Sequence, residues 1–187
     1  MYNKMKKLIL FLLICNCSSS YSQDSLYVGK SFVLPEVRYP VCISWGEEWA
    51  EKQFQEEYSS VFDSISQFLK SNNKIKFEIR FYTDSRGSDS ANLVLSQRNA
   101  DDWYSRLVKR GVDSSQLKSI GFGESTPRTV WVKDNIYYLD KSKDVQALPV
   151  VLTEHYINTF RKTDKRRYEM LHQLNRREEL VITSIEK

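Results

Sequence analysis

Between residues 75 and 81, apolar Ile75, Phe77, Ile79 and Phe81 alternate without a break with polar Lys76, Glu78 and Arg80. A period of two makes this a strand with one buried face. Its flanks narrow the fold further. Upstream, Ala50, Phe54, Tyr58, Val61, Phe62, Ile65, Phe68 and Leu69 recur at three- and four-residue spacing, the pattern of an amphipathic helix that Ser71, Asn72 and Asn73 end. Downstream, a polar loop over residues 83–89 leads into a second helix with Ala100, Trp103, Tyr104, Leu107 and Val108 on its apolar face and Gly111 at a left-handed cap. A first strand is expected over residues 32–39, where Pro35 confines it to an edge or a bulge, and a third over residues 117–121. Strand, helix, strand, helix, strand with helical crossovers favours parallel or mixed pairing. The expected class is therefore α+β, a βαβαβ sandwich with two main helices on one face of a small mixed sheet.

After Pro127 the pattern is less regular. Residues 130–132 and 136–139 read as a hairpin around Lys133, Asp134 and Asn135, residues 153–161 and 166–177 as helices, and residues 178–185 as a final strand. At the other end, Lys4, Lys6 and Lys7 precede the short apolar run LILFLLIC, and Ser20-Tyr21-Ser22 offers a small-x-small cleavage signal. The run is too short to span a bilayer, so residues 1–22 are expected to be a signal peptide and residues 23–187 a single exported domain. Cutting there leaves Cys42 alone, without an intramolecular disulfide; Cys17 before Ser18 is a second possibility, a lipid-modified cysteine, although Asn16 departs from the small residue that such a signal wants. The net charge of +4 falls to about +1 once the three leading lysines are set aside, so no nucleic acid or other polyanion partner is implied.

The loop and second helix read TDSRGSDSANLVLSQRNA from Thr83 to Ala100, followed by Gly111-Val112 and by GFGESTP ending at Pro127. This ungapped stretch, residues 83–127, resembles the OmpA-like domain family, whose pattern is TDxxGxxxxNxxLSxxRA with later GV and GYGExxP elements. Asn175-Arg176-Arg177-Glu178 resembles the family's later NRRV element, with Glu178 where an apolar residue is usual, and residues 128–174 form a longer connection than the family carries.

The resemblance implies a non-catalytic module of the periplasm, associated with the outer membrane, that holds the peptide stem of peptidoglycan. No cofactor is implied; envelope proteins are further partners. The stem's diaminopimelate presents an ammonium and a carboxylate, held in the family by the Asp of the TD element and the Arg of the SxxRA element. Carried over, the candidate peptidoglycan-binding residues are Thr83, Asp84, Asn92, Leu95, Arg98 and Asn99. Asp84 would accept from the ammonium, or else close its own turn. Asn92 would order the loop or touch the peptide, Leu95 would wall the pocket, and Ser96 would cap the helix. Asn99 stands where the family has Arg. An amide cannot make the forked contact with a carboxylate, which removes a charge-assisted interaction of about 1.5 to 3 kcal/mol. Arg98 next door points about 100° away on a helix, and Arg86 in the loop is the other nearby cation.

Other readings are weaker. His155 and His172 have no HExxH or cysteine cluster around them and read as surface histidines. The acid pairs Glu47-Glu48, Glu56-Glu57 and Glu178-Glu179 read as solvated edges, and residues 83–89 lack the alternating acids of a calcium loop. Neither an enzyme nor a metal site is expected. Arg176 and Arg177 read as a solvated edge or a salt bridge to a neighbouring carboxylate. Trp45, Trp49 and Trp131 are candidate sugar-stacking faces that more often serve packing. A second functional reading makes the chain a protein-interaction module with weakened wall affinity, using Tyr137, Tyr138, His155, Tyr156 and Phe160 of residues 128–174 as a partner surface.

Overall fold

A computed structural model describes residues 26–36, 48–140 and 146–186. The expected signal peptide, all three cysteines, Trp45 and the latter part of the expected first strand lie outside these residues. The elements are β1 (Ser31–Val33), α1 (Glu48–Ser71), β2 (Ile75–Tyr82), α2 (Asp89–Lys109), β3 (Leu117–Gly123), β4 (Thr129–Lys133), β5 (Ile136–Tyr138), β6 (Leu148–Val151), α3 (Glu154–Asn158), α4 (Lys165–Asn175) and β7 (Arg177–Ile185). One sheet has the order β1-β7-β2-β3 and a second the order β5-β4-β6. β1 is antiparallel to β7, whereas neighbours β2 and β3 are joined through α2, the crossover that parallel neighbours require. The fold is α+β, as the periodicities indicate.

The chain divides into two compact units, one holding the described residues up to Arg80 with residues 101–119 and 178–186, the other residues 81–100 and 120–177. In the first, alternation along β2 buries Ile75, Phe77 and Ile79, while α1 and the second half of α2 bury Phe54, Phe62, Leu69, Trp103 and Leu107. The rings of Phe62 and Trp103 lie 4.8 Å apart. Gly111 adopts a φ of +83°, and the amide of Val112 returns to the carbonyl of Leu107, closing α2 with the left-handed cap that the sequence indicates.

The second unit contains what the sequence pattern left irregular. β4 and β5 form the expected hairpin, pairing Lys133 with Ile136 across a two-residue turn in which Asp134 and Asn135 both have positive φ, as a type I′ turn requires. The sequence reading missed β6, which pairs with β4 on its other side. Pro149 interrupts its period, but an edge strand tolerates a residue that cannot donate. Val130, Leu152, Ile157 and Leu171 are fully buried beneath this sheet, with Tyr137, Tyr156, Phe160, Tyr168 and Leu174 packed around them. Residues 128–174 thus form a small core of their own, and its outcome is to build and place α4.

Candidate functional site

The loop after β2 is fixed from within. Asp84 Oδ1 accepts from the backbone amide of Arg86 at 3.0 Å, closing a turn, and from Arg86 Nε at 3.1 Å. The Asn92 amide, buried on the first turn of α2, donates to the carbonyls of Asp84 and Arg86 and to the Glu124 carboxylate. Ser88 caps α2, its hydroxyl accepting from the Ala91 amide at 3.3 Å. Ser96, expected to be that cap, lies mid-helix instead: its hydroxyl donates to the Leu93 carbonyl at 2.9 Å and accepts from the Gly123 amide at 2.8 Å. Gln97 Oε1 accepts the Gly121 amide at 2.8 Å. β3 approaches α2 so closely that a Cβ on Gly121 would fall 2.2 Å from the Gln97 backbone nitrogen. The GFGE stretch therefore needs glycine at 121.

The other wall comes from α4. Asp164 caps this helix, accepting from the Arg167 amide at 2.9 Å, and Leu171 buries one side of it in the small core. Glu169, His172 and Arg176 follow at three- and four-residue spacing and so share another side. Arg176 Nη1 donates to Asp84 Oδ2 at 2.6 Å, beside Arg86 Nη2 at 2.8 Å, and Arg86 Nη1 reaches Glu169 at 3.1 Å. His172 is buried, edge-on to Tyr168, with Nδ1 3.9 Å from Asp84 Oδ1. The next residues hold the wall: Asn175 accepts the Arg128 amide at 2.9 Å and donates to the Leu152 carbonyl at 2.8 Å, while the Arg177 guanidinium lies 3.6 Å over the Tyr82 ring.

Burial alone would raise the Asp84 carboxyl, but hydrogen bonds from the Arg86 side chain, the Arg86 amide and Arg176 outweigh it and hold the group below the usual carboxylate range. Burial depresses His172, against the pull of Asp84, and so favours the neutral ring. Glu124 is raised, first by burial, despite the bond from Asn92. Thr83 Oγ1, Ser85 Oγ and both His172 ring nitrogens are buried without a hydrogen-bond partner among the described residues. Native proteins seldom leave such groups idle. Four of them around one loop, beside two half-exposed guanidinium groups, make this a place that can receive a polar, anionic ligand group.

A family model described as the OmpA family matches residues 50–134. This stretch thus carries the family's sequence pattern. The chain is 28% identical over 133 residues to the peptidoglycan-associated lipoprotein of Pasteurella multocida, covering 66% of this chain and 87% of that one. It is 32% identical over 85 residues to the peptidoglycan-associated lipoprotein of Buchnera aphidicola, covering 46% of this chain and about half (49%) of that relative's length. The crystal structure of the peptidoglycan-associated lipoprotein from Burkholderia pseudomallei aligns with 81% of this chain and 88% of its own at 20% identity, with a TM-score of 0.45.

Within the matched stretch, the residues carried over by resemblance separate. Thr83 and Asp84 stand at the centre of the site. Asn92 is buried and ties the loop to α2 by its hydrogen bonds. Leu95 is exposed along with Leu93 and Val94. Arg98 is exposed and Asn99 half-buried on α2; neither has a hydrogen bond to the Asp84 loop. Arg86 does lean onto Asp84. Arg176 makes the salt bridge that its sequence context suggested, but Arg177 is buried and not a solvated edge. His172, read from sequence as a surface residue, is a buried neighbour of Asp84. Its spacing from Glu169 and Arg176 was the available signal. Among the described residues, no three His, Cys, Asp or Glu groups gather to hold a metal ion.

Proposed function

We propose that this domain binds the stem peptide of peptidoglycan without catalysing its cleavage, and that the exported chain links the cell envelope to the wall. The observation that carries this reading is the pair of half-exposed guanidiniums of Arg86 and Arg176, both seated on buried Asp84 at the loop bearing the TDxxG pattern. A planar, always-charged fork suits the carboxylate-rich stem peptide. The relatives named as peptidoglycan-associated lipoproteins support the same ligand class and an envelope location. Diaminopimelate is the stem residue proposed to dock, because its free end carries the carboxylate that this pair can hold. A non-catalytic role is supported by the way Asp84 is used: its acceptors are committed to arginines, which leaves it neither a base nor a nucleophile.

Co-sedimentation of the mature protein with purified sacculi tests the reading. Wild type should pellet with the wall, and Arg176→Ala should reduce retention tenfold or more. Equal retention of wild type, Arg176→Ala and Asp84→Ala would remove the site. Of the surface suggested for the alternative role as a protein-interaction module, Tyr137, Tyr156 and Phe160 pack partly against the chain's own small core, while Tyr138 is half-buried and His155 exposed.

A further inference from the structure

The balance of about +1 over the mature chain hides a local excess. Residues 161–167, Arg161-Lys162-Thr163-Asp164-Lys165-Arg166-Arg167, hold five cations and one acid, a net +4, so the rest of the mature chain sums to about −3. These residues form the turn from α3 into α4, and the turn is firmly tied. Ile157 and Phe160 pack into the small core at its base. The amides of Thr163 and Asp164 both donate to the Phe160 carbonyl, at 3.2 and 2.9 Å, and the Thr163 hydroxyl donates to the Thr159 carbonyl at 3.3 Å. The single acid is taken: Asp164 caps α4 and pairs with Arg167 Nε at 3.3 Å, while the Arg167 guanidinium lies 4.9 Å over the Phe160 ring. Arg161, Lys162, Lys165 and Arg166 are exposed, and among the described residues none of the four has a carboxylate partner. Their placement works against the fold. α4 opens on Lys165, Arg166 and Arg167 with no acid in its first turn. The positive end of the helix dipole lies there, so cations weaken the helix where Asp or Glu would strengthen it. Like charges crowded into seven residues also repel one another. An anionic partner relieves both costs, and its form follows from the display. At Asp84 one buried carboxylate gathers two guanidiniums at a single position. On this turn no buried group aims the four cations. Such a surface reads the density of negative charge and not the shape of one ligand group, and a layer of lipid phosphates supplies that density.

We infer that the turn over residues 161–167 is a docking surface for an anionic phospholipid bilayer. This goes beyond the wall-binding reading and rests on it only for the envelope location. α4 separates the two contacts: Arg166 and Arg176 stand ten residues apart, about 15 Å along a helix, so the turn can meet lipid while the Asp84 cluster holds the wall. Flotation of the full mature chain with vesicles of phosphatidylethanolamine and phosphatidylglycerol, against vesicles of phosphatidylcholine alone, tests this. The chain should float with the anionic vesicles, bind the neutral ones at least tenfold more weakly, and come off in about 0.5 M salt, where screening acts within a few ångströms. Two double variants locate the surface: Arg161→Gln with Lys162→Gln, before the helix, and Lys165→Gln with Arg166→Gln, on it. Each should lower vesicle affinity tenfold or more and keep sacculus retention within twofold. The pair on the helix should keep or raise the thermal midpoint, which separates lost binding from lost folding. Equal binding to anionic and neutral vesicles, no binding to either, or wild-type vesicle affinity in both double variants overturns the inference. So does a tenfold loss of sacculus retention in either variant, which would make the turn part of the wall site. Anionic-vesicle binding by a chain that sacculi do not retain leaves this inference standing and removes the proposed function; the reverse result removes the inference alone.

Discussion

Among the described residues, the arginine–carboxylate clusters at Arg106 and at Asp84 have opposite arrangements of what is buried. In the first unit Arg106 is 7% exposed between acids that reach water, Glu51 at 44% and Asp102 at 31%. Its guanidinium forks to both Glu51 oxygens at 2.7 and 2.9 Å and lies 4.2 Å over the Phe54 ring. In the second unit the acid is inside, Asp84 at 8%, and the arginines are outside, Arg86 at 43% and Arg176 at 39%. A cation sunk among aromatic rings has spent its donors on the fold and joins α1 to α2. A sunk carboxylate that carries two exposed cations presents unspent donors to water. The same residue types thus make a staple in one place and, on the proposed function, a receptor in the other, decided by which partner is buried.

The largest effect should come from breaking the staple. Arg106→Met keeps an apolar stem over Phe54 but removes the fork and the ring contact, and should cost about 2 to 3 kcal/mol in urea unfolding, with sacculus retention of the folded protein unchanged. Arg176→Ala should lose retention while shifting stability by less than about 1 kcal/mol. If the two variants exchanged these signatures, the distinction between staple and receptor would fail.

Acid should separate the clusters next. The Glu51 carboxyl is held at about 2, first by its bonds from Arg106. A depressed carboxylate stabilises the fold above its ordinary value of 4.5 and loses that contribution as the pH falls toward about 2. The thermal midpoint should therefore drop within that window, and Arg106→Met should flatten the drop. Near Asp84 the change begins earlier. Burial favours neutral His172 in the folded chain, so its contribution is full above the ordinary 6.5 and declines as the pH falls below it. Protonation of Asp84 follows only below 3.8. The thermal midpoint should therefore begin to fall below 6.5, before the staple titrates, and His172→Gln should remove that early phase.

Periodicity made the main elements legible, because α1, β2 and α2 each bury one face of a regular repeat, and some turn residues further on have one physical use apiece. Gly111 and the Asp134-Asn135 turn are such cases. The site was legible only as far as its own loop. Asp84 could be named from its motif, but Arg176 is 92 positions away and reaches it because the small core around Leu171 sets the pitch and direction of α4. No local pattern encodes that placement. Ser96 misled for a related reason: a serine before a helical stretch looks like a cap, whereas this hydroxyl is used sideways, to hold Gly123 of the neighbouring strand. His172 looked exposed because α4 is polar in composition; its burial comes from Tyr168 and from the loop that the helix covers.

The smallest effect is expected where the family pattern suggests the greatest. Asn99→Arg restores the cation to α2, and a site that lacked a carboxylate-holding group would gain tenfold or more in retention from it. Here Arg86 and Arg176 already hold the cationic role, and Asp84 has no acceptor left with which to aim a third guanidinium. Position 99 also lies seven residues beyond Asn92, about two turns or 10 Å along the helix from the residue that ties α2 to the loop. An arginine there must span that distance by its own stem and give up side-chain entropy to do so. Retention should change less than twofold, both in wild type and in a test of rescue, where Asn99→Arg should fail to restore binding to Arg176→Ala. A rescue would mean that the ligand lies along α2 and that the receptor cluster at Asp84 is, like the one at Arg106, a staple.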